Sequence, residues 1–147
     1  MEDEKMEFRI IGVSEEAFRY PSLENLRNFN PSDSEFEFAH FYKWNALENI
    51  FGVFFKISLT IRMENEKTEL LHYEGSVHYT IKNFAEIVKI DPEFSMNEID
   101  EITLVSVAYS TVRGMIAVRT MGTPMAQYIL PVIDLTQLVK SRMLCRQ

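Results

Sequence analysis

The sequence predicts an α+β domain over residues 1–147: a four-stranded antiparallel sheet, then a long helix, then a short C-terminal helix. Three observations carry that prediction. Every odd position from Phe51 to Met63 is apolar, while the even positions hold Gly52, Lys56, Ser58, Thr60 and Arg62, with Phe54 the exception. A period of two puts one face on a core and the other in water, as in a half-solvated antiparallel sheet. A second alternating run, Thr68–Ile81, follows the polar stretch Glu64–Lys67, so the two runs read as a hairpin. Finally, Ile102, Val105, Ala108, Tyr109, Val112 and Ile116 recur at three- and four-residue steps ahead of Gly122 and Pro124. That is the period of a helix followed by its stop signals.

Taken in order, Met6–Val13 reads as the first strand, with Phe8 and Ile10 on one face and Gly12 disturbing the alternation as a bulge would. Residues 14–34 contain Pro21 and Pro31 among Phe18, Tyr20, Leu23, Leu26 and Phe29. They read as a long irregular crossover with its own apolar anchors, and loops of that length are usually functional or disordered. Glu35–Lys43 is the second strand, with Phe36 and Phe38 alternating against Glu35 and Glu37. Trp44–Asn49 separates it from the third. On the fourth strand Leu71, Tyr73, Val77, Tyr79 and Ile81 alternate with His72, Glu74, Ser76, His78 and Thr80, and Gly75 on the apolar side marks a close approach of another backbone.

Only loops join these four strands, which makes the sheet antiparallel, since parallel neighbours need crossover connections. Ser95 and Glu98 have capping-box spacing ahead of the long helix, which runs from Ile99 or Ile102 to about Met121. β-branched residues are frequent there and would also suit a strand, but the length and the stop signals favour a helix. Asp134 opens the last helix, ending near Arg142, by the same capping logic.

Composition narrows the function. The chain has a net charge of −7 and no basic run, which argues against nucleic acid as a partner. Its single cysteine, Cys145, cannot form an internal disulfide, and its first residues are acidic where a secretory signal needs positive charge. No stretch approaches the ~20 uninterrupted apolar residues of a membrane span. A cytoplasmic location and no membrane insertion are therefore expected. Eleven Phe, six Tyr, one Trp and eight Met suit either a bulky core or a tolerant binding surface.

Catalytic constellations are not evident. His72, Glu74 and His78 share a strand face, but the two histidines stand ~20 Å apart at ~3.3 Å per residue, too far for one metal. A solvated sheet face is the simpler reading. His40 has no nucleophile or orienting acid beside it in sequence, and Cys145 lies where chains usually fray. There is no phosphate-binding glycine loop and no nucleophile elbow. No enzyme activity, metal or cofactor is expected. The acidic run Met1–Glu7 and the pair Glu15–Glu16 read as solvated charge, or as a docking site for a basic partner.

A resemblance sharpens these expectations. A long helix containing Arg113–Ile116, then Arg119–Pro124, Leu130–Val132 and a terminal helix with Leu135 and Leu138, preceded by four strands, resembles the SecB export-chaperone family over about residues 7 to 143. The likeness implies an ATP-independent holdase, a homotetramer built as a dimer of dimers, holding unfolded or precursor proteins in aromatic-lined grooves. In that family the grooves lie between the crossover, the second strand and the long helix. Here those elements carry Phe18, Tyr20, Leu26, Phe29, Phe36, Phe38, Tyr109 and Met115 as candidate client contacts. Of these, Phe36, Phe38 and Tyr109 read as core or subunit interface before client contacts, because strands and helices bury one face by default. Phe18, Tyr20 and Phe29 are preferred, because a crossover has little other reason to be aromatic.

Export relatives use acidic residues on the outer sheet face to dock the SecA motor, a role that would fall to Glu15, Glu16 and Glu74, although Arg19 follows Phe18. Relatives acting with toxin–antitoxin pairs imply an antitoxin as partner instead. Two other readings are a non-catalytic scaffold for one folded partner and a hot-dog thioesterase using His40 or Glu74. The thioesterase fold places its long helix near the first strand, unlike the order read here.

Overall fold

Alternation along Ile50–Met63 does what a period of two requires. Phe51, Val53, Phe55, Ile57, Leu59 and Ile61 are all buried, while Lys56 and Arg62 face water. The computed structural model describes residues 5–20, 34–63, 66–127, 130 and 133–144. Its main sheet consists of β1 (Phe8–Arg19), β2 (Ser34–Asn45), β3 (Ile50–Met63) and β4 (Glu66–Ile81), in the spatial order β1-β4-β3-β2 with every pair antiparallel. A short helix α1 (Phe84–Ile87) and a two-stranded ribbon, β5 (Val88–Lys89) with β6 (Ser95–Met96), lead to the long helix α2 (Glu98–Thr120). The last element is α3 (Leu135–Leu144). The α+β class and the four-strands-then-helices order are as the sequence predicts.

β1 runs six residues further than expected, to Arg19 rather than Val13. Its register with β4 shifts between Ile10 and Gly12, the expected bulge, and again between Glu15 and Ala17. Two bulges break the alternation twice, and the polar stretch Ser14–Glu16 then no longer reads as strand. Phe18, Glu15 and Glu16, placed by sequence on the crossover, are strand residues. Residues 21–33, including Leu26 and Phe29, lie outside the described residues.

Between β2 and β3 the chain turns through a 3-10 turn at Ala46–Glu48, with the Asn45 side chain accepting a hydrogen bond from the Glu48 amide and Asn49 left-handed at φ 58°. Asparagine tolerates that region better than most residues. On β4, a Cβ added to Gly75 would lie 2.6 Å from Tyr73 Cε1. The close approach inferred for this glycine is real, but it is made by the tyrosine ring, not by another backbone.

α2 lies across the sheet. Leu104, Val105, Ala108, Tyr109, Val112 and Ile116 form its buried face, and the Tyr79 hydroxyl donates to the Leu104 carbonyl at 2.7 Å. Each fully buried large apolar side chain contributes roughly 1.5–3 kcal/mol, so this face fixes the helix on the sheet. Its β-branched content is accommodated locally: Thr103, Thr111 and Thr120 donate to the carbonyls of Ile99, Val107 and Ile116 at 2.8, 2.8 and 2.9 Å. The helix is capped by Asn97, whose side chain accepts from the Ile99 amide at 2.9 Å, while Ser95 lies in β6. The Ser95–Glu98 capping box is thus replaced by an asparagine cap two residues on. After the helix, Gly122 takes φ 76° and Arg113 Nε donates to the Leu130 carbonyl at 3.1 Å, turning the chain back toward α3.

Candidate functional site

β2 is an edge strand, so among the described residues the side of its backbone away from β3 has no strand beside it. The even positions from Phe36 to Trp44 along this edge point to the helix side of the sheet and are all rings. Phe36 stacks on Phe38 at 6.0 Å, Phe38 on His40 at 6.1 Å, and His40 meets Tyr42 at 5.4 Å. Tyr42 and Trp44 both pack on Phe94, at 5.5 and 5.0 Å. Beneath the row, Phe55 and Tyr109 meet Phe38 at 5.3 and 5.6 Å. Phe36, Phe38, His40 and Tyr42 are half-buried, and Trp44 keeps 40% of its surface exposed. At ~3.4 Å per residue the row extends ~27 Å from Phe36 to Trp44.

The opposite edge carries a smaller cluster. Phe18, half-buried on β1, packs against Tyr20 and Tyr73 with centroids at 5.4 and 6.1 Å. The Arg119 guanidinium covers its ring at 4.8 Å and binds Glu15 at 2.8 Å. Burial pushes the Tyr73 hydroxyl well above its ordinary pKa, and the nearby Glu15 carboxylate adds to the shift. Beside this cluster, Glu15, Thr111, Gly114, Met115, Val118 and Arg119 line a hollow of about 530 Å³.

The candidate client residues therefore do not form one trough. Phe18 and Phe38 share a single rung of the sheet through Tyr73 and Ile57, but they sit on opposite edges, three strand spacings or ~14 Å apart. Phe36, Phe38 and Tyr109 belong to the β2 side, while Phe18, Tyr20 and Met115 belong to the β1 side. Tyr109 is buried at 4% exposure and serves as the floor of the ring row. Sequence reasoning missed His40, Tyr42, Trp44 and Phe94. The first three continue the same even-numbered alternation as Phe36 and Phe38, so that signal was present; Phe94 reaches the row only through the β5–β6 ribbon.

The three candidate docking carboxylates also separate. Glu16 accepts from the Ser76 hydroxyl at 2.9 Å and Glu74 lies 3.6 Å from Lys56 and 3.6 Å from His72, both on the outer sheet face. Glu15 instead faces the helix side, held by Arg119.

No protein-family model matches the sequence, and no curated protein sequence matches it significantly. Among solved structures, the fold matches a SecB-like chaperone of Mycobacterium tuberculosis, solved in complex with a ChAD peptide from the HigA1 antitoxin. The TM-score is 0.51 at 13% identity, covering 86% of each chain. This chain accordingly has a SecB-like fold, as its strand order and terminal helices suggested.

Proposed function

We propose that this SecB-like chain is a non-catalytic, ATP-independent holdase that captures extended apolar segments of unfolded polypeptides along the ring row of β2. The observation that carries this reading is the coincidence of an edge strand, with no strand beside it among the described residues, and a row of partly exposed rings at two-residue spacing. An extended segment laid on an edge strand gains main-chain hydrogen bonds, and its alternate side chains meet the rings. Every sequence offers a backbone, and ring faces accept many apolar side chains, so selectivity is loose. Several such contacts along one client add through effective concentration.

Assembly as a tetramer, a dimer of dimers, is part of the proposal. Among the described residues β1 is the other edge strand and exposes Ile10, Ile11 and Val13, while α2 exposes Ile99 and Val118 on the side away from the sheet, with Met121 exposed just past its end. Apolar surface on both an edge strand and the outer face of a core helix is what subunit contacts cover.

Of the two branches, an antitoxin-like peptide client is favoured over delivery to an export motor. The solved neighbour holds an antitoxin peptide, whereas here Glu15 is turned toward Arg119, and Glu16 and Glu74 are engaged within the sheet. A cytoplasmic site of action is part of the proposal, supported by a single cysteine that cannot form an internal disulfide.

The test is suppression of aggregation of a chemically unfolded model protein without nucleotide, paired with light scattering for mass. The wild type should suppress aggregation as a particle of about four times 17.2 kDa. Phe36→Ser with Trp44→Ser should weaken holding by roughly tenfold or more with the fold intact. Full holding by a well-folded double variant would sink the reading.

A further inference from the structure

Phe54 breaks the polar alternation of the outer sheet face, and neither the holdase reading nor the core explains it. Its register partner on β2 is Phe41, and the two rings stack with centroids 5.1 Å apart and planes 12° from parallel. The edge of His78 meets Phe54 at 5.4 Å. Gly52 makes room for this arrangement, since a Cβ there would come 2.9 Å from the Phe54 ring and 3.1 Å from His78 Nδ1. Phe41 nevertheless keeps 40% of its surface exposed. Beside the stacked pair lies a depression of about 150 Å³ bounded also by Glu16, Lys56 and Glu74.

The charges around this patch are not equally available. Glu74 stands between Lys56 and His72, while Glu16 accepts from the neutral Ser76 hydroxyl and keeps its charge. The Lys43 ammonium lies 4.9 Å over Phe54 and 5.9 Å over Phe41, and among the described residues no carboxylate pairs with it. In a chain of net charge −7, this is an aromatic platform with an available cation on a flat solvent-facing sheet. A ring face attracts a cation, but a cation held there still carries its full charge toward an incoming anion.

We propose that the Phe41–Phe54–Lys43 patch docks a short acidic–aromatic segment of a partner protein, one apolar side chain entering the depression beside Phe54 and a neighbouring carboxylate reaching Lys43. A basic segment would meet the Lys43 ammonium over the stacked rings, and of the two nearby carboxylates Glu74 is already paired with Lys56. The patch lies on the opposite sheet face from the ring row, so a client and this partner bind without competing, and this inference does not depend on the holdase reading.

The experiment uses two fluorescein-labelled peptides, one with Trp and Phe flanked by Asp and Glu, and a sister with Lys in place of every acid. Anisotropy titrations of the full chain are combined with NMR shift mapping. The acidic peptide should bind at least about fivefold more tightly than its sister, weaken as salt rises, and shift resonances of Phe41, Lys43 and Phe54. Lys43→Glu should remove that preference, and Lys43→Met should reduce it, while aggregation suppression stays unchanged. Both variants alter an exposed side chain, so they remain informative if Phe41→Ser fails to fold. Equal binding of the two peptides, insensitivity to Lys43→Glu, or shifts confined to the β2 ring row would overturn the proposal. So would a particle mass that falls on Phe41→Ser with no peptide binding by the wild type, because the patch would then join two copies of the chain.

Discussion

Tyr73 and Tyr79 are fully buried and Tyr109 nearly so, and burial is the main cause holding all three hydroxyls above the ordinary tyrosine pKa near 10. A phenolate is accommodated in the unfolded chain but not in these sites. Above about pH 10 the unfolded chain therefore sheds protons that the native state keeps, and unfolding is increasingly favoured. The stabilisation is complete below that pH and is lost as pH rises toward and through the raised native values, by up to ~1.4 kcal/mol per pH unit for each tyrosine. Urea midpoints should fall steeply between about pH 10 and 11.5; a flat profile would mean that these hydroxyls reach water. Not every buried group announces itself in sequence. No local pattern sets Glu101 apart from Glu98 and Asp100 in the first turn of α2, yet it is 1% exposed, buried where the helix dipole favours negative charge.

Elements were legible wherever local period and tertiary role agree. β3 and α2 each keep one periodicity on their buried face, β4 keeps it past a single register shift at Leu70, and the predicted bounds of all three fall close to the observed ones. The predicted β1 stops short at Val13 because two bulges shift its phase, and α1 with the β5–β6 ribbon goes unread because two- to four-residue elements leave no period. The helix start shows how spacing alone misleads. Ser95 and Glu98 have capping-box spacing, but the ribbon holds Ser95 and leaves Asn97 to cap. Asn97→Ala should cost about 1 kcal/mol in urea unfolding, whereas Ser95→Ala should cost little. The reverse order would restore the capping box. On β4, Gly75→Ala should destabilise by roughly 1–3 kcal/mol, because the new methyl group collides with the Tyr73 ring; an unchanged midpoint would show that the ring moves aside freely.

At the scale of the whole molecule, both long edges of the sheet are unpaired among the described residues, and they differ in character. The β2 edge carries rings, while the β1 edge carries Ile10, Ile11 and Val13, a composition suited to a second copy of the chain. Ile11→Lys with Val13→Lys should lower the mass seen by light scattering by about half without unfolding the chain; an unchanged mass would place the subunit contact elsewhere. The sequence by itself determined the fold class, the apolar side of β3 and β4, the long helix and the excess of aromatic surface, because each is written in a local period or in composition. Tertiary structure alone decided which rings meet. The spatial order β1-β4-β3-β2 sent Phe18 and Phe38 to opposite edges, and register brought Phe41 against Phe54. Strand pairing joins residues far apart in sequence, and no local pattern encodes which strand becomes the neighbour of which.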